Sequence, residues 1–292
     1  MMAELPKKGG IIMKKFFKSF AVIIIAMLLF TNAAVAEPLT SQEYINSNGV
    51  SLQVVPTVLE GKITLTGETN RSLIKILVIK GETQRWYDVK LQDGKFNEEI
   101  WFIDGVGEYQ VSVLVHKEGR RYTFGPTVYV KNTVEVNRFL VPTLHVESNN
   151  EKIIALAQEI TKDCKSDAEK AKSIYDWVTA NIVYDYKKYI RQMNNDYDNV
   201  YGALNTLETK TGVCYDYAAL VAALGRASGL QVKMIKGNFK SALRSELHAW
   251  NEIYISEENK WIPVDSTFGA SMRSNYFDNN DFYKDHEKLE EY

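Results

Sequence analysis

The hydrophobic period of this 292-residue chain changes about halfway along, and the change limits the folds that it can adopt. Before residue 132, short runs rich in Val, Ile, Tyr, Trp and Thr alternate apolar and polar residues, as in IKILVIK and EYQVSVLVH. Such alternation is typical of strands with one buried face. After residue 151, apolar residues recur at helical spacing, as for Ile153, Ala157 and Ile160. The sequence therefore predicts an all-β part followed by a part that begins with helices.

Turn signals separate the strand-like runs of the first part, among them Asp93-Gly94 and Gly125-Pro126. This spacing predicts an antiparallel sandwich of about seven strands over residues 50–132, similar to an immunoglobulin-like accessory module. We expect the polar residues 37–50 to form a loose leader before it. His116 stands alone in one of the strands and is interpreted as a surface or structural residue.

The second part follows a connection that we assign to residues 133–150. Ser166 and Glu169 have the spacing of a capping box and open a predicted helix that ends near Asn181. The polar stretch 185–199 has almost no aliphatic residues and predicts a long loop. A short helix is predicted at 200–207.

A further helix is predicted from about residue 213 to Ser228, where Gly229 provides a stop signal. The runs LQVKMIKG, AWNEIYI and KWIPVD then read as strands. Helices followed by strands predict an α+β fold for residues 151–292. The polar and aromatic tail after Phe268 is expected to wrap the surface or fray.

The N-terminus has the three parts of a secretory signal peptide. Lysines between residues 14 and 18 precede the apolar run 20–30, and Ala34-Val35-Ala36 offers a small-x-small cleavage pattern. Residues 1–36 are therefore predicted to be removed. The alternative is an uncleaved membrane anchor, but the apolar run is short for a span. We expect a secreted or cell-surface protein without membrane attachment after cleavage.

Net charge and cysteine content limit the partners and the chemistry that we expect. The formal net charge is -2, which gives no reason to expect nucleic acid as a partner. The chain has two cysteines, Cys164 and Cys214, which an exported protein could join in a disulfide. Their different local contexts favour one incidental and one reactive cysteine. Asp196 and Asp198 offer too few oxygen ligands for calcium, so neither a metal nor another cofactor is predicted.

Cys214 is the predicted nucleophile because it opens an apolar helix directly after Gly212 and Val213. A thiol in a first helical turn lies at the positive end of the helix dipole, which favours the thiolate. Free backbone N–H groups at the same place can bind an oxyanion. A cysteine at a helix start is, taken alone, equally consistent with a small buried residue.

His248 and Asp265 make the catalytic interpretation the stronger one. His248 begins one predicted strand, and Asp265 ends the next, with a short turn between the two strands. A hairpin brings the start of one strand near the end of the other, so the carboxylate can reach the imidazole. Together with Cys214 they would form the nucleophile, base and orienting residue of an acyl-transfer enzyme.

Several segments of the second part together resemble the transglutaminase-like superfamily. The resemblance covers about residues 150–270. It implies a papain-like catalytic core in which Cys214 is the nucleophile, His248 the base and Asp265 the orienting residue. The motifs are, in chain order, IYDWV at 174–178, NIVYD at 181–185, GVCYDYA at 212–218, RASGL at 226–230, HAWNE at 248–252 and WIPVDST at 261–267.

The resemblance also implies an upstream aromatic oxyanion donor, for which Tyr184 is the candidate. The substrate is expected to be an extracellular protein or a cell-wall peptide, with an acyl-cysteine intermediate. Water as acceptor would give a protease or amidase, and an amine would give a transamidase; the residues do not decide between them. The alternative is a catalytically silent scaffold or binding protein at the cell surface.

Overall fold

The first part of the structure consists of strands whose side chains alternate between a buried and an exposed face. The computed structural model describes residues 43–241, 245–272 and 275–292, so the predicted signal peptide lies outside the described residues. Ile63 and Leu65 show the alternation clearly, because both are buried between exposed neighbours. The strands are β1 (Tyr44–Ser47), β2 (Val50–Gln53), β3 (Val58–Leu59), β4 (Lys62–Thr69), β5 (Ile74–Lys80), β6 (Thr83–Asp88), β7 (Lys95–Trp101), β8 (Gly107–Glu118) and β9 (Arg121–Asn132).

These strands form two sheets that share one apolar core. The four-stranded sheet has the order β1-β2-β4-β7, and the five-stranded sheet has the order β3-β9-β8-β5-β6. Leu65 and Phe96 from the first sheet pack in the same cluster as Ile76 and Val113 from the second. The predicted all-β part is therefore confirmed, whereas its immunoglobulin-like character stays a prediction.

The predicted leader contains a β-hairpin. Ser47 of β1 pairs with Val50 of β2, and Asn48 and Gly49 between them have φ values of 50° and 80°. Asn-Gly is the preferred pair for a two-residue hairpin turn because both positions need positive φ. The expectation of a loose leader was wrong for residues 44–47, because this turn signal outweighs the polar composition around it.

The second part contains helices packed on an antiparallel sheet. Its elements are α1 (Glu151–Thr161), α2 (Asp167–Asn181), β10 (Val183–Tyr184), α3 (Tyr186–Met193), α4 (Ala203–Thr209), β11 (Thr211–Gly212), α5 (Cys214–Ala227), β12 (Val232–Lys240), β13 (Ser245–Ile255), β14 (Lys260–Val264), α6 (Ser266–Met272), a 3₁₀ turn (Phe282–Lys284) and β15 (His286–Glu291). Gly229 follows α5 with φ at +83°, as expected for a helix stop.

Both faces of this sheet are covered. Its order is β14-β13-β12-β15, with every pair antiparallel. Ala249 and Ile253 face the core that contains α5, whereas Trp250 packs on the opposite face with Ile235 and Phe282. The period-two alternation of β13 thus separates the two faces as the sequence predicts. The arrangement confirms the α+β class and the papain-like placement of a buried helix against a sheet.

The capping box at the start of α2 is present in a changed form. The Ser166 side chain accepts from the backbone N–H of Glu169 at 3.1 Å, as the pattern predicts. Glu169, however, accepts from the backbone N–H of Lys165 at 2.6 Å. The carboxylate therefore binds one residue upstream of the N-cap.

The polar stretch 185–199 is partly helical, so the prediction of a continuous loop was wrong. Asp185 caps α3 by accepting from the backbone N–H of Lys188 at 2.9 Å. Lys188 is also the buried residue of this helix. Lys188 forms an ion pair with Asp216 of α5. This buried pair anchors the helix in place of the apolar stripe by which a helix is recognised in a sequence.

The described residues 275–292 of the tail after Phe268 contain a 3₁₀ turn and the strand β15. The strand β15 pairs antiparallel with β12, and Phe239 lies opposite His286 in that pairing. His286 and Phe282 are both buried at 2% exposure. The expectation of fraying was wrong, because these two buried residues anchor the segment, whereas most of β15 lies at the surface.

Within the described part of the chain, no helix has both the length and the apolar character needed to cross a bilayer. Residues from Glu43 to Tyr292 group as one compact unit, whose described residues form two large apolar clusters and a small one around Trp250. The domain boundaries at 50–132, 133–150 and 151–292 stay predictions.

Candidate active site

Cys214 is the first residue of α5 and is partly exposed. Gly212 precedes it in β11, where an added Cβ would lie 2.6 Å from the Cβ of Asp216. A side chain at 212 would collide with the first turn of the helix. Glycine is therefore needed at this position because the helix approaches its backbone closely.

A buried ion pair fixes the turn that carries Cys214. Asp216 is fully buried and accepts from the backbone N–H of Val213 at 2.9 Å and from Nζ of Lys188 at 2.7 Å. Lys188 also donates to the carbonyl of Val200 at 2.7 Å. Because Lys188 belongs to α3, the pair ties that helix to the start of α5. Asp216 therefore connects the residue before Cys214 to α3.

His248 and Asp265 are brought together as the sequence predicts. Nε2 of His248 lies 2.7 Å from Oδ2 of Asp265, and both side chains are buried. Asp265 follows β14 directly, and its Oδ1 accepts from the backbone N–H of Phe268 at 3.0 Å. The ring of Phe268 stacks on that of His248 at 4.4 Å between centroids. The carboxylate and the imidazole are therefore each held on more than one side.

Burial by itself lowers the pKa of His248, because a charged imidazole loses hydration in the interior. The carboxylate of Asp265 and the neighbouring Cys214 outweigh this effect and raise the pKa to about 10. A hydrogen bond between the side chains of His248 and Cys214 contributes to the rise. Since Nε2 is taken by Asp265, Nδ1 is the nitrogen that is left for the thiol.

The pKa of Asp265 is lowered from 3.8 to about 2. Burial acts against this by raising it, but the charge and hydrogen bond of His248 dominate together with a hydrogen bond from His286. The carboxylate is thus kept ionised in a fully buried position, which is the state required of a residue that orients a catalytic imidazole.

His286 was missed by sequence analysis. Its Nε2 lies 3.3 Å from Oδ2 of Asp265, the same oxygen that contacts His248. It lies in the polar run HEKLEE, which gives no indication of burial. No helical spacing marks it, because the 3₁₀ turn ends at Lys284 and the strand β15 begins at His286.

Tyr184 lies in β10, beyond the end of α2, where it pairs in parallel with Gly212. Burial, followed by the charge of Cys214, raises its pKa. The phenol is therefore kept protonated and able to donate a hydrogen bond near the thiol. Its ring also contacts Tyr186 and Tyr189, at 5.0 and 6.1 Å between centroids.

Cys164 and His116 have the structural roles that the sequence suggests. Both cysteines are free, so the disulfide alternative is not realised in this structure. Cys164 lies 3.4 Å from the hydroxyl of Ser173. His116 is on the surface, with its Nε2 2.9 Å from the carbonyl of Gly119.

His248, Asp265 and His286 form a group of side chains of the types that bind metal ions. Ligand atoms of His248, Asp265 and His286 lie within 4.8 Å of one another, and all three residues are buried. In the structure these atoms face one another at hydrogen-bonding distances of 2.7 and 3.3 Å. We interpret the group as a hydrogen-bonded network.

Known proteins are similar to this chain in the region that contains Cys214, His248 and Asp265. The family model of the transglutaminase-like superfamily matches residues 154–266. Kyphoscoliosis peptidase of Mus musculus is 26% identical over 125 residues, which is 40% of this chain and 18% of that protein. Uncharacterized protein YebA of Bacillus subtilis (strain 168) is 26% identical over 189 residues, which is 60% of this chain and 23% of that protein. The chain thus spans 18% and 23% of the length of these curated relatives.

Among solved structures, a proposed cysteine protease from Cytophaga hutchinsonii is similar, with 18% identity and a TM-score of 0.38. The match covers 81% of this chain and 83% of that one. The matched family region contains Cys214, His248 and Asp265. The resemblance to the transglutaminase-like superfamily is therefore confirmed for residues 154–266, the segment that the family model matches.

Proposed function

We propose that this protein is an exported thiol enzyme that attacks a carboxamide or peptide carbonyl with Cys214. One observation carries the proposal: the imidazole of His248 lies 2.7 Å from the carboxylate of Asp265, and the neighbouring Cys214 adds to the raised pKa of that imidazole. A nucleophile, a base and an orienting carboxylate in this order are the requirements of acyl transfer.

The first half-reaction forms an acyl-enzyme. The thiolate of Cys214 attacks the carbonyl carbon, and the carbonyl oxygen becomes an oxyanion. When the intermediate collapses, the C–N bond breaks, and the imidazolium of His248 gives its Nδ1 proton to the leaving amine or ammonia. The product is a thioester on Cys214, with His248 neutral.

The second half-reaction releases the acyl group. Neutral His248 takes a proton from the acceptor, whose oxygen or nitrogen attacks the thioester carbonyl. The C–S bond then breaks and restores the thiolate and imidazolium. Asp265 stays ionised throughout, because its pKa is near 2.

Two groups in the site can stabilise the oxyanion. The backbone N–H of Asp216 in the first turn of α5 donates to the carbonyl of Val213 at 2.8 Å, so we assign the first oxyanion donors to the N–H groups of Cys214 and Tyr215, which begin the helix. The protonated hydroxyl of Tyr184 is a second donor, since the pKa of this phenol is raised beside Cys214. We assign Tyr184 this role in the proposed reaction.

Of the two possible reactions, we propose hydrolysis of an extracellular protein or cell-wall peptide. The mouse relative that matches 40% of the chain has peptidase in its name, which favours water as the acceptor. Export rests on the basic and apolar segments and the Ala34-Val35-Ala36 pattern of residues 1–36.

The choice of acceptor is tested with a glutamine-containing peptide, incubated with the full chain with and without a primary amine. Mass spectrometry distinguishes the products, since hydrolysis gives two fragments or a deamidated peptide and transamidation gives an amine adduct. We expect hydrolysis products that disappear in Cys214→Ala. An amine adduct as the main product would replace hydrolysis by transamidation, and no product from either arm would favour the scaffold alternative.

A further inference from the structure

We propose that His286 is a positioning residue of the Cys214 site, which donates from Nε2 to Oδ2 of Asp265 and so fixes the carboxylate that orients His248. The inference rests on the proposed function, because it assigns a role within the same site. It also makes the C-terminal strand β15 part of that site.

The hydrogen-bond partners of His286 define which atoms donate. Its Nδ1 lies 2.6 Å from Oδ1 of Asp285 and 3.1 Å from the carbonyl oxygen of Phe282. Its Nε2 lies 3.3 Å from Oδ2 of Asp265. Both ring nitrogens therefore face oxygen atoms, and the proposal places a proton on Nε2, from where it is donated to Asp265.

The surroundings leave the ring little freedom. The side chain of His286 is fully buried. Its ring stacks on Phe282 at 4.0 Å and contacts Trp250 at 5.1 Å and Phe239 at 5.4 Å between centroids. Asp285 and the Phe282 carbonyl hold Nδ1, so the direction of Nε2 toward Asp265 is set by contacts on both sides of the ring.

The arrangement gives each oxygen of Asp265 a defined donor. Oδ1 accepts from the backbone of Phe268 at 3.0 Å, and Oδ2 accepts from His248 at 2.7 Å and from His286 at 3.3 Å. A carboxylate with a single side-chain partner could rotate about its χ2 torsion. The second imidazole opposes that rotation, which keeps His248 in the tautomer and orientation that the thiol needs.

The hydrogen bond can be separated from the aromatic ring by comparing His286→Gln with His286→Asn. The amide nitrogen of Gln can occupy the place of Nε2 and donate to Asp265, whereas that of Asn reaches only the place of Nδ1. Both variants lose the aromatic ring and carry the same amide group. A difference between them therefore reports the contact with Asp265.

The readout is the second-order rate of alkylation of Cys214 by iodoacetamide at pH 6, in a full chain that carries Cys164→Ser. At this pH an ordinary thiol is almost entirely protonated, so rapid alkylation reports the thiolate that His248 stabilises. We expect His286→Asn to react about tenfold more slowly than His286→Gln, which corresponds to one pKa unit in thiolate formation. Equal rates for the two variants would overturn the inference.

A measurement on the parent protein does not depend on how the variants fold. In ¹⁵N NMR with labelled histidine rings at neutral pH, the inference predicts that Nε2 of His286 carries a proton. An unprotonated Nε2 would overturn it. If the parent protein alkylates no faster than its Cys214→Ala form, it is the proposed function that fails; the NMR result still decides the contact with Asp265.

Discussion

Nε2 of His248 lies 2.7 Å from Oδ2 of Asp265. His248 lies within β13, and Asp265 directly follows the neighbouring strand β14. Asn251 of β13 pairs with Val264 of β14, and Asp265 is the next residue along the chain. The carboxylate thus emerges beside the strand that carries the imidazole. This single contact links the fold of the sheet to the chemistry proposed for Cys214.

Asp265→Asn should reduce kcat by roughly 10³- to 10⁴-fold with little change in KM, because the amide cannot stabilise the imidazolium or select its tautomer. Turnover of the glutamine-containing peptide measures this. The matched control is Asp278→Asn, which removes a carboxylate that pairs with Lys260 on the surface. Similar kcat values for the two variants would contradict the assigned role.

Stability should depend on pH through the same pair. The pKa of Asp265 is lowered from 3.8 to about 2, so its contribution is present above 3.8 and is lost as the pH falls through about 2. The pKa of His248 is raised from 6.5 to about 10, so its contribution is present below 6.5 and is lost as the pH rises through about 10.

Urea unfolding across the pH range tests both windows. The free energy of unfolding should decline above pH 6.5 and again below pH 3.8, the usual pKa values of the two groups. In Asp265→Asn both declines should be weaker, since the variant removes the acidic group and the partner that holds the proton on His248. A variant with the same pH dependence as the parent would contradict the coupling.

Lys188→Met should destabilise the protein by about 3–5 kcal/mol, because it leaves the carboxylate of Asp216 buried without its cation. The control is Lys172→Met, which breaks the exposed pair with Asp176 and should cost less than about 0.5 kcal/mol. Urea unfolding of the two variants gives the comparison. Equal effects would show that the buried pair does not stabilise the turn at Cys214.

Tyr184→Phe should lower kcat by roughly 10²- to 10³-fold while KM changes little, as expected when one oxyanion donor is lost. Tyr189→Phe is the control, because its ring lies in the same aromatic cluster at 6.1 Å from Tyr184. If Tyr184→Phe keeps the activity of Tyr189→Phe, the hydroxyl of Tyr184 has only a packing role.

The sequence predicts the strands of the core and the meeting of His248 with Asp265, because these depend on local patterns and on hairpin pairing, whereas the place of Cys214 beside them was implied by the family resemblance. Gly229 as a helix stop and the alternation in β13 illustrate this. Each signal lies within a few residues of the feature that it specifies, so it can be recognised without knowledge of the tertiary structure.

The features that were missed depend on distant contacts. The helix α3 is held by the pair of Lys188 with Asp216, which are 28 positions apart. His286 meets Asp265 across 21 positions. In both cases a polar residue is buried because a remote partner satisfies it, whereas hydrophobic patterning assigns such a residue to the surface.

Selective labelling of Cys214 tests the central claim most directly. The full chain and its Cys164→Ser, Cys214→Ala and His248→Ala variants are exposed briefly to a thiol-directed electrophilic probe at neutral pH, and intact masses are measured. The account predicts labelling of the parent and of Cys164→Ser at equal rates, with little labelling of the other two. Labelling of Cys214→Ala as fast as the parent would contradict it, because the reactive thiol would then be Cys164.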